Sequence, residues 1–308
     1  MMKYNAGSPW NFAEGMAAVF IKDKWGYIDK QGNIAIEPQF SYASGFSEGL
    51  AAVEVDHKYG FIDKSGRMVI KPQYDYALAF TEGLSPVEID NEYFIINKQG
   101  AVVAKLDAGD YGGVECFSCG LAAVDCMLSD DNWKFGYIDS TGKMVIKPQF
   151  DIACTFEDGL ALATLTDGGK SGFIDTTGHF VIQPQYDDAE SFSEGLAPAM
   201  KDGRWRFIDK TGADAVLLSD KFECVDPITE GLARVTIDNK YGAVDKAGNL
   251  IVDVRFDALH FFSDGLAYAR IGNTHGYINT SGTFEIQKPV AKPTLLDRIK
   301  GKANQMRW

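Results

Sequence analysis

No run of about 18 consecutive apolar residues occurs in the 308-residue sequence, so no transmembrane helix is expected. The opening MMKYNAGSPW has no apolar core of the kind a secretory leader needs, and a cytoplasmic location is the expectation. Cysteine is sparse and odd in number: Cys116, Cys119, Cys126, Cys154 and Cys224, four of them within one third of the chain. That is no disulfide framework of a small secreted domain, and it points to reduced thiols. Basic residues are in deficit, 30 against 43 acidic ones, for a net charge of −13. Nucleic acid, whose phosphates call for a basic face, is therefore excluded as a main partner. Catalytic signatures are missing too. There is no P-loop, no G-x-S-x-G and no H-E-x-x-H, and His57, His179, His260 and His275 stand at unrelated positions. Cys116 and Cys119 form a Cys-x-x-Cys pair, but a structural zinc needs four ligands. No catalytic residue, cofactor or metal is expected.

Glycine and aromatics are abundant, 32 Gly with 20 Phe and 13 Tyr, and they recur in order. Turn residues between aromatic and β-branched runs indicate strands. A leading aromatic or apolar residue falls at Phe12, Phe46, Phe80, Phe117, Phe156, Phe192, Ile228 and Phe262, which marks eight tandem units over residues 12–287. An acid-glycine pair follows, as in FSEGLAAVEV and FTEGLSPVEI. The glycine is kept in every unit and the acid in all but the fourth, where Cys119 replaces it. The glycine suits a hairpin corner at positive φ. The acids either line a cation or ligand rim or accept turn N–H bonds, the latter being the cheaper account.

An aromatic-glycine strand comes next, KWGYID in the first unit and KYGFID in the second, carrying Trp25-Gly26, Gly60 and, in the fourth, Gly136. A glycine there implies close approach of a neighbouring backbone, so Phe94 and Arg206 at that position predict local repacking in units three and six. Each unit then carries D/N-x-x-G, for instance Asp29 to Gly32, Asp63 to Gly66 and Asp139 to Gly142, which reads as a type I turn with a glycine bulge. The third strand runs into Pro-Gln-Phe/Tyr with Pro38, Pro72, Pro148 and Pro184, which cannot donate to a ladder. Strands such as YGFID and MVI are apolar on successive residues, so both faces of each small sheet should be buried against its neighbours.

The succession F-x-E-G-L-A-x-V, aromatic-G-Y/F-I-D-x-x-G and V-I-x-P-Q-Y/F resembles the WG repeats, also called KWG repeats, of bacterial proteins. Trp25, Gly26, Tyr27, Ile28, Asp29 and Gly32 carry the match in the first unit. The resemblance implies a bacterial, non-enzymatic binding or interaction platform, with no catalytic residues to transfer.

The expected fold is all-β: three- to four-stranded meanders stacked face to face in a β-propeller-like ring, with an open β-solenoid or superhelix as the alternative. Residues 1–11 are expected to add a strand that completes the array. Residues 288–308 leave the pattern. Leu296, Ile299, Ala303 and Met306 recur at helical spacing behind Thr294 and Asp297, so a short amphipathic helix is expected. From Lys288 onward the charge is +5, against −18 for the rest of the chain. The function expected is a scaffold for an unidentified protein partner, with a glycan or cell-wall module as the alternative. Trp133 in the insertion of unit four, and Arg298, Lys300, Lys302 and Trp308 in the tail, are the candidate partner contacts.

Overall fold

The computed structural model describes residues 11–106, 111–129, 132–166 and 168–289. Every regular element among them is a β-strand, and the strands form eight four-stranded antiparallel sheets spanning 12–40, 42–74, 76–105, 111–150, 152–186, 188–217, 224–256 and 258–289. In each sheet the strands pair in chain order, and the sheets stand face to face around a ring: an eight-bladed β-propeller. The expected C-terminal helix and the expected N-terminal strand, apart from Asn11, lie outside the described residues.

Most first strands have only two residues, such as Tyr42–Ala43, and occupy the inner end of a blade. Groups that follow neighbouring first strands lie close there: burial, then Glu190 and Glu115, raise the Cys154 thiol. The last strand, such as Ile34–Phe40, forms the rim and alternates exposed and buried residues. The segment that closes each sequence unit, such as YDYALAF, supplies the first strand of the following blade, so the Phe chosen as the unit boundary mostly falls just beyond that strand, as Phe46 does after Tyr42–Ala43.

That Phe is a main contact between blades. Phe46 lies 4.9 Å from Tyr27 of the preceding blade, Phe80 lies 4.7 Å from Phe61, Phe156 lies 4.8 Å from Tyr137 and Phe192 lies 4.7 Å from Phe173. Tilted and edge-on pairs of this kind contribute about 0.5–1.5 kcal/mol each beyond area burial. The small residues beside them, Ala51, Ala161, Ala197 and Ala267, are fully buried and let the blades converge. The same contact joins last blade to first: Phe12 meets Tyr277 at 4.7 Å, and Gly15 N–H donates to Asp264 Oδ2 at 2.6 Å. The ring is therefore closed and not an open superhelix. All four strands of the last blade come from residues 258–289, so closure among the described residues rests on face-to-face packing and not on an exchanged strand.

The glycine of the aromatic-glycine pair and the proline of the rim strand are one device. Tyr27 pairs with Ile36 and Trp25 with Phe40, so the rim strand carries an extra loop of chain across Gly26. A Cβ on Gly26 would lie 2.6 Å from the Ile36 carbonyl oxygen and 2.7 Å from Pro38 N. Gly60, Gly136 and Gly172 meet the corresponding atoms of Pro72, Pro148 and Pro184 in the same way. In the third and sixth blades both halves are lost together. Phe94 and Arg206 replace the glycine, and the rim strands shorten to Val102–Lys105 and Asp214–Leu217 with no Pro-Gln bulge.

Candidate functional site

An antiparallel meander puts its first and third turns on one face of the ring, here called lower, and its second turn and the links between blades on the upper face. The lower face is a girdle. In FSEGL the acid and glycine are both left-handed, Glu48 at φ 52° and Gly49 at φ 84°, forming a two-residue hairpin. The carboxylate reaches forward to the next blade: Glu14 accepts the Gly49 N–H, Glu48 that of Gly83, Glu82 that of Gly120, Asp158 that of Gly195, Glu194 that of Gly231, Glu230 that of Gly265 and Asp264 that of Gly15. The acids thus cap the turns of their neighbours and tie blades in sequence. A lysine of the following D-K-x-G turn joins at several links, with Lys64 on Glu14 at 2.9 Å, Lys98 on Glu48 at 2.9 Å and Lys246 on Glu194 at 3.0 Å. Only the link from fourth to fifth blade has neither part among the described residues: Cys119 stands for the acid, and Thr176 for the lysine. The aspartates of D-x-x-G hold their own turns. Asp29 Oδ1 accepts from the amides of Gln31 and Asn33, and Asp63 and Asp139 do the same at their turns. Gly32, Gly66 and Gly142 sit at φ 80°, 81° and 81°, with Gly66 seated on Ile36 and Gly142 on Leu106 of the preceding blade.

The upper face is closed by a second set of ties. Lys58 pairs with Asp75 at 2.5 Å, Lys134 with Asp151 at 2.5 Å, and Lys170 and Lys240 with Asp187 and Asp257. One hairpin stands out from it. In the fourth blade the second and third strands, Leu121–Ser129 and Asn132–Asp139, run nine and eight residues where the second blade has six and six. The extra length lifts Met127, Leu128 and Trp133 into solvent at 47%, 53% and 43% exposure, with Met127 paired opposite Trp133. Trp133 leans on Gly112, where a Cβ would be 2.5 Å from its ring, and Tyr93 Oη donates to the Gly112 carbonyl at 3.0 Å. Leu165, 44% exposed, follows the second strand of the fifth blade, Ala161–Thr164. Asp151 joins the two places: its carboxylate takes Lys134, next to Trp133, and its N–H donates to the Thr164 carbonyl, next to Leu165. Scattered exposed apolar residues are ordinary, whereas a group at the end of a protruding hairpin is a candidate contact surface.

The inner end of blades four to eight collects several buried and half-buried titratable groups. Asp226, 2% exposed, accepts from Arg234 Nε at 2.6 Å, and Arg234 Nη1 donates to the Leu259 carbonyl at 2.7 Å. The guanidinium lies 5.2 Å from the Tyr241 ring and 4.9 Å from Phe261. Burial, then Asp226 and Asp188, push the Glu190 carboxyl up to about 7 despite Arg234. Burial and Arg234 push His260 down to about 4. Burial drives the thiols of Cys116, Cys154 and Cys224 up to about 12, 11 and 11. Such thiols are poor nucleophiles at neutral pH. Among the described residues no three His, Cys, Asp or Glu side chains are arranged to hold a metal ion, and no helix is long and apolar enough to cross a membrane.

Of the candidates read from the sequence, Trp133 is exposed on the upper face, while Arg298, Lys300, Lys302 and Trp308 lie outside the described residues. Trp25, Gly26, Asp29, Gly32, Gly60, Asp63, Gly66, Gly136, Asp139 and Gly142 sit in the blades and turns. Met127, Leu128 and Leu165 were not singled out, although the length of unit four was a usable signal. The inner cluster carried none, because its members come from different units at positions that vary.

The sequence profile of the WG containing repeat matches residues 25–59, 59–93, 135–168, 172–205, 221–241 and 241–274, more than half of the chain. The matches skip the stretches where the third and sixth blades lose the glycine and Pro-Gln bulge. No curated protein sequence matches. Among solved structures, a eukaryotic initiation factor is similar at 11% identity and a TM-score of 0.58, covering 92% of this chain and 90% of that one. Kluyveromyces lactis Hsv2p is similar at 11% identity and 0.49, over 80% and 97%, and BamB from Moraxella catarrhalis at 12% and 0.48, over 85% and 95%. Likeness at such identity concerns the fold alone.

Proposed function

The chain belongs to the WG-repeat family, and from that premise we propose that it is a non-catalytic scaffold that holds a protein partner on its upper face, at the hairpin of the fourth blade. The observation that carries this is the projection of Met127, Leu128 and Trp133 beyond the level of the other hairpins, beside Leu165. Desolvating a Trp and its apolar neighbours is how protein interfaces obtain most of their affinity. The girdles of both faces keep the ring stiff, so the hairpin is presented at little entropic cost.

A photo-crosslinking residue at Leu128 in the full chain tests this, with one at rim Val69 as control. A partner is expected to crosslink from 128 and to be lost from the same protein carrying Trp133→Ser, with an unchanged circular dichroism spectrum. Crosslinks that survive Trp133→Ser, or equal yields from 69 and 128, would overturn the assignment. Trp133 is also an exposed ring available to a glycan or cell-wall fragment, the second reading. Saturable quenching of its fluorescence by such fragments, lost in Trp133→Ser, would favour that instead.

A further inference from the structure

Charge is sorted around the outer wall of the ring. The five residues that follow the glycine of each D/N-x-x-G turn run up the rim strand. In the second, third and fourth blades they are RMVIK, AVVAK and KMVIK, in which Arg67, Lys71, Lys105, Lys143 and Lys147 carry +5 with no acid. In the other five they are NIAIE, HFVIQ, ADAVL, NLIVD and TFEIQ, in which Glu37, Asp214, Asp253 and Glu285 carry −4 with no lysine or arginine. All of these charged residues are exposed. Arg67 is held by Asp63 at 3.0 Å and Lys105 by Glu92 at 2.8 Å, and Lys143 acts on Asp139 of its own turn, but Lys71 and Lys147 make no ion pair with another described residue. On the acidic side Asp214 takes Arg206 at 2.8 Å and Glu285 takes Asn279 at 2.7 Å, while Glu37 and Asp253 make no ion pair with another described residue. Arg255, higher on the seventh rim, is turned to the Gly282 carbonyl of the eighth blade at 3.5 Å. Apolar residues stand among both sets: Val69, Val102, Val103 and Val145 at 42–58% exposure, and Ile34, Leu217, Leu250 and Ile251 at 44–51%.

We propose that the basic wall of blades two to four docks against the acidic wall of a second copy of this chain, the two rims meeting side by side. The surface is separate from the partner site on the upper face. Its complement in charge is on the molecule itself: Lys71, Lys105 and Lys147 stand at the place on the rim strand that Glu37 and Asp253 occupy in the first and seventh blades, so a wall of +5 meets a wall of −4. Both walls bring the same kind of apolar row, which contact removes from water. A continuous anionic surface, such as a membrane of acidic lipid, has no such apolar and charged complement, and it would face a chain of net charge −13. The contact is made by side chains. Pro38, Pro72 and Pro148 and the register shifts beside them break the outer edge of their rim strands, so no backbone ladder runs from one copy to the next. In a ring of eight the third blade stands opposite the seventh, so the basic and acidic walls lie on opposite sides of one molecule. The contact is therefore heterologous, and copies join head to tail in an open row and not in a closed pair. Screening acts over about 8 Å at physiological ionic strength, so the acids on the far side of each copy do not oppose the contact.

Sedimentation velocity of the full chain over a range of concentrations, at about 50 mM and about 0.5 M salt, tests this, since exposed charge pairs are screened at the higher value. The chain should grow stepwise with concentration at low salt and come apart at high salt. Lys71→Glu with Lys147→Glu reverses charge on one wall, and Glu37→Lys with Asp253→Lys on the other; all four places are exposed, and the circular dichroism spectrum should not change. Each double variant alone should associate at least about tenfold more weakly, because like charges are then brought together at two places. Mixed in equal amounts, the two should form a dimer and stop there, with one sound wall from each copy in contact and the two altered walls ending the row. Val69 lies in the basic wall, so a crosslinker placed there should trap a product of twice the chain's mass, distinct from what Leu128 traps. A parent chain that stays single at about 100 μM in low salt overturns the proposal, as does a mixture no more associated than its components. Association that only one of the double variants weakens would mean a symmetric pair of like walls, and overturns it too. So does binding to vesicles of acidic phospholipid that Lys71→Glu with Lys147→Glu abolishes while the parent stays single, which would assign the wall to a membrane surface.

Discussion

Among the described residues the lower girdle is interrupted at the link between the fourth and fifth blades, and it can be repaired. Cys119 has φ 55°, close to the 52° of Glu48 at the equivalent place, so Cys119→Glu introduces no new backbone strain. The new carboxylate should accept the Gly159 N–H as Glu48 accepts that of Gly83 at 3.0 Å. A hydrogen bond to a charged acceptor contributes about 1.5–3 kcal/mol when well shielded. These turns are exposed, so about 0.5–1 kcal/mol is the better expectation. Adding Thr176→Lys supplies the partner that Lys98 gives Glu48, with about 0–1 kcal/mol more. Each kcal/mol raises Tm by about 2–4 °C in a chain of this size. Thermal and urea unfolding of the single and double variants, at low salt and at about 1 M salt, provide the measurement, since the gain should shrink as charges are screened. Glu48→Gln is the matched control and should cost a similar amount. If Cys119→Glu leaves the midpoint unmoved while Glu48→Gln lowers it, the girdle does not transfer between blades and the reasoning fails.

Two further perturbations are worth making. Gly142→Val puts a β-branched residue at φ 81° and a Cβ 2.7 Å from Leu106 Cδ2, so a loss on the order of 1–3 kcal/mol or more is expected in urea unfolding, and a variant as stable as the parent would dismiss the turn assignment. Glu190→Gln should change how stability depends on pH. The carboxyl rises from 4.5 unfolded to about 7 folded, so its favourable contribution is complete below about pH 4.5 and is lost as pH rises through about 7. At pH 8 the variant should be more stable by on the order of 2 kcal/mol, taking about 1.4 kcal/mol per tenfold change in proton affinity and discounting for partial exposure. A pH-stability curve parallel to that of the parent would mean that burial, with Asp226 and Asp188, does not raise the Glu190 carboxyl.

The repeat itself and the turns within it were legible before the structure. Eight copies of Asp/Asn-x-x-Gly fix eight tight turns, because only a short polar side chain and a glycine satisfy such a corner. Strands apolar on both faces have no stable place except between copies of themselves. The need for glycine beside Trp25 could be anticipated, but not that the obstacle is the backbone of Pro38, since that clash depends on a two-residue shift of register. The acids of the Glu-Gly turns were read as capping nearby turns; the amide each one serves is some 35 residues away, on the next blade, a distance that ring geometry alone removes. The inner cluster of Glu190, Asp226, Arg234 and His260 has no sequence signature for the same reason. A repeat places one residue per unit, and these groups arise only when closure of the ring brings neighbouring units side by side.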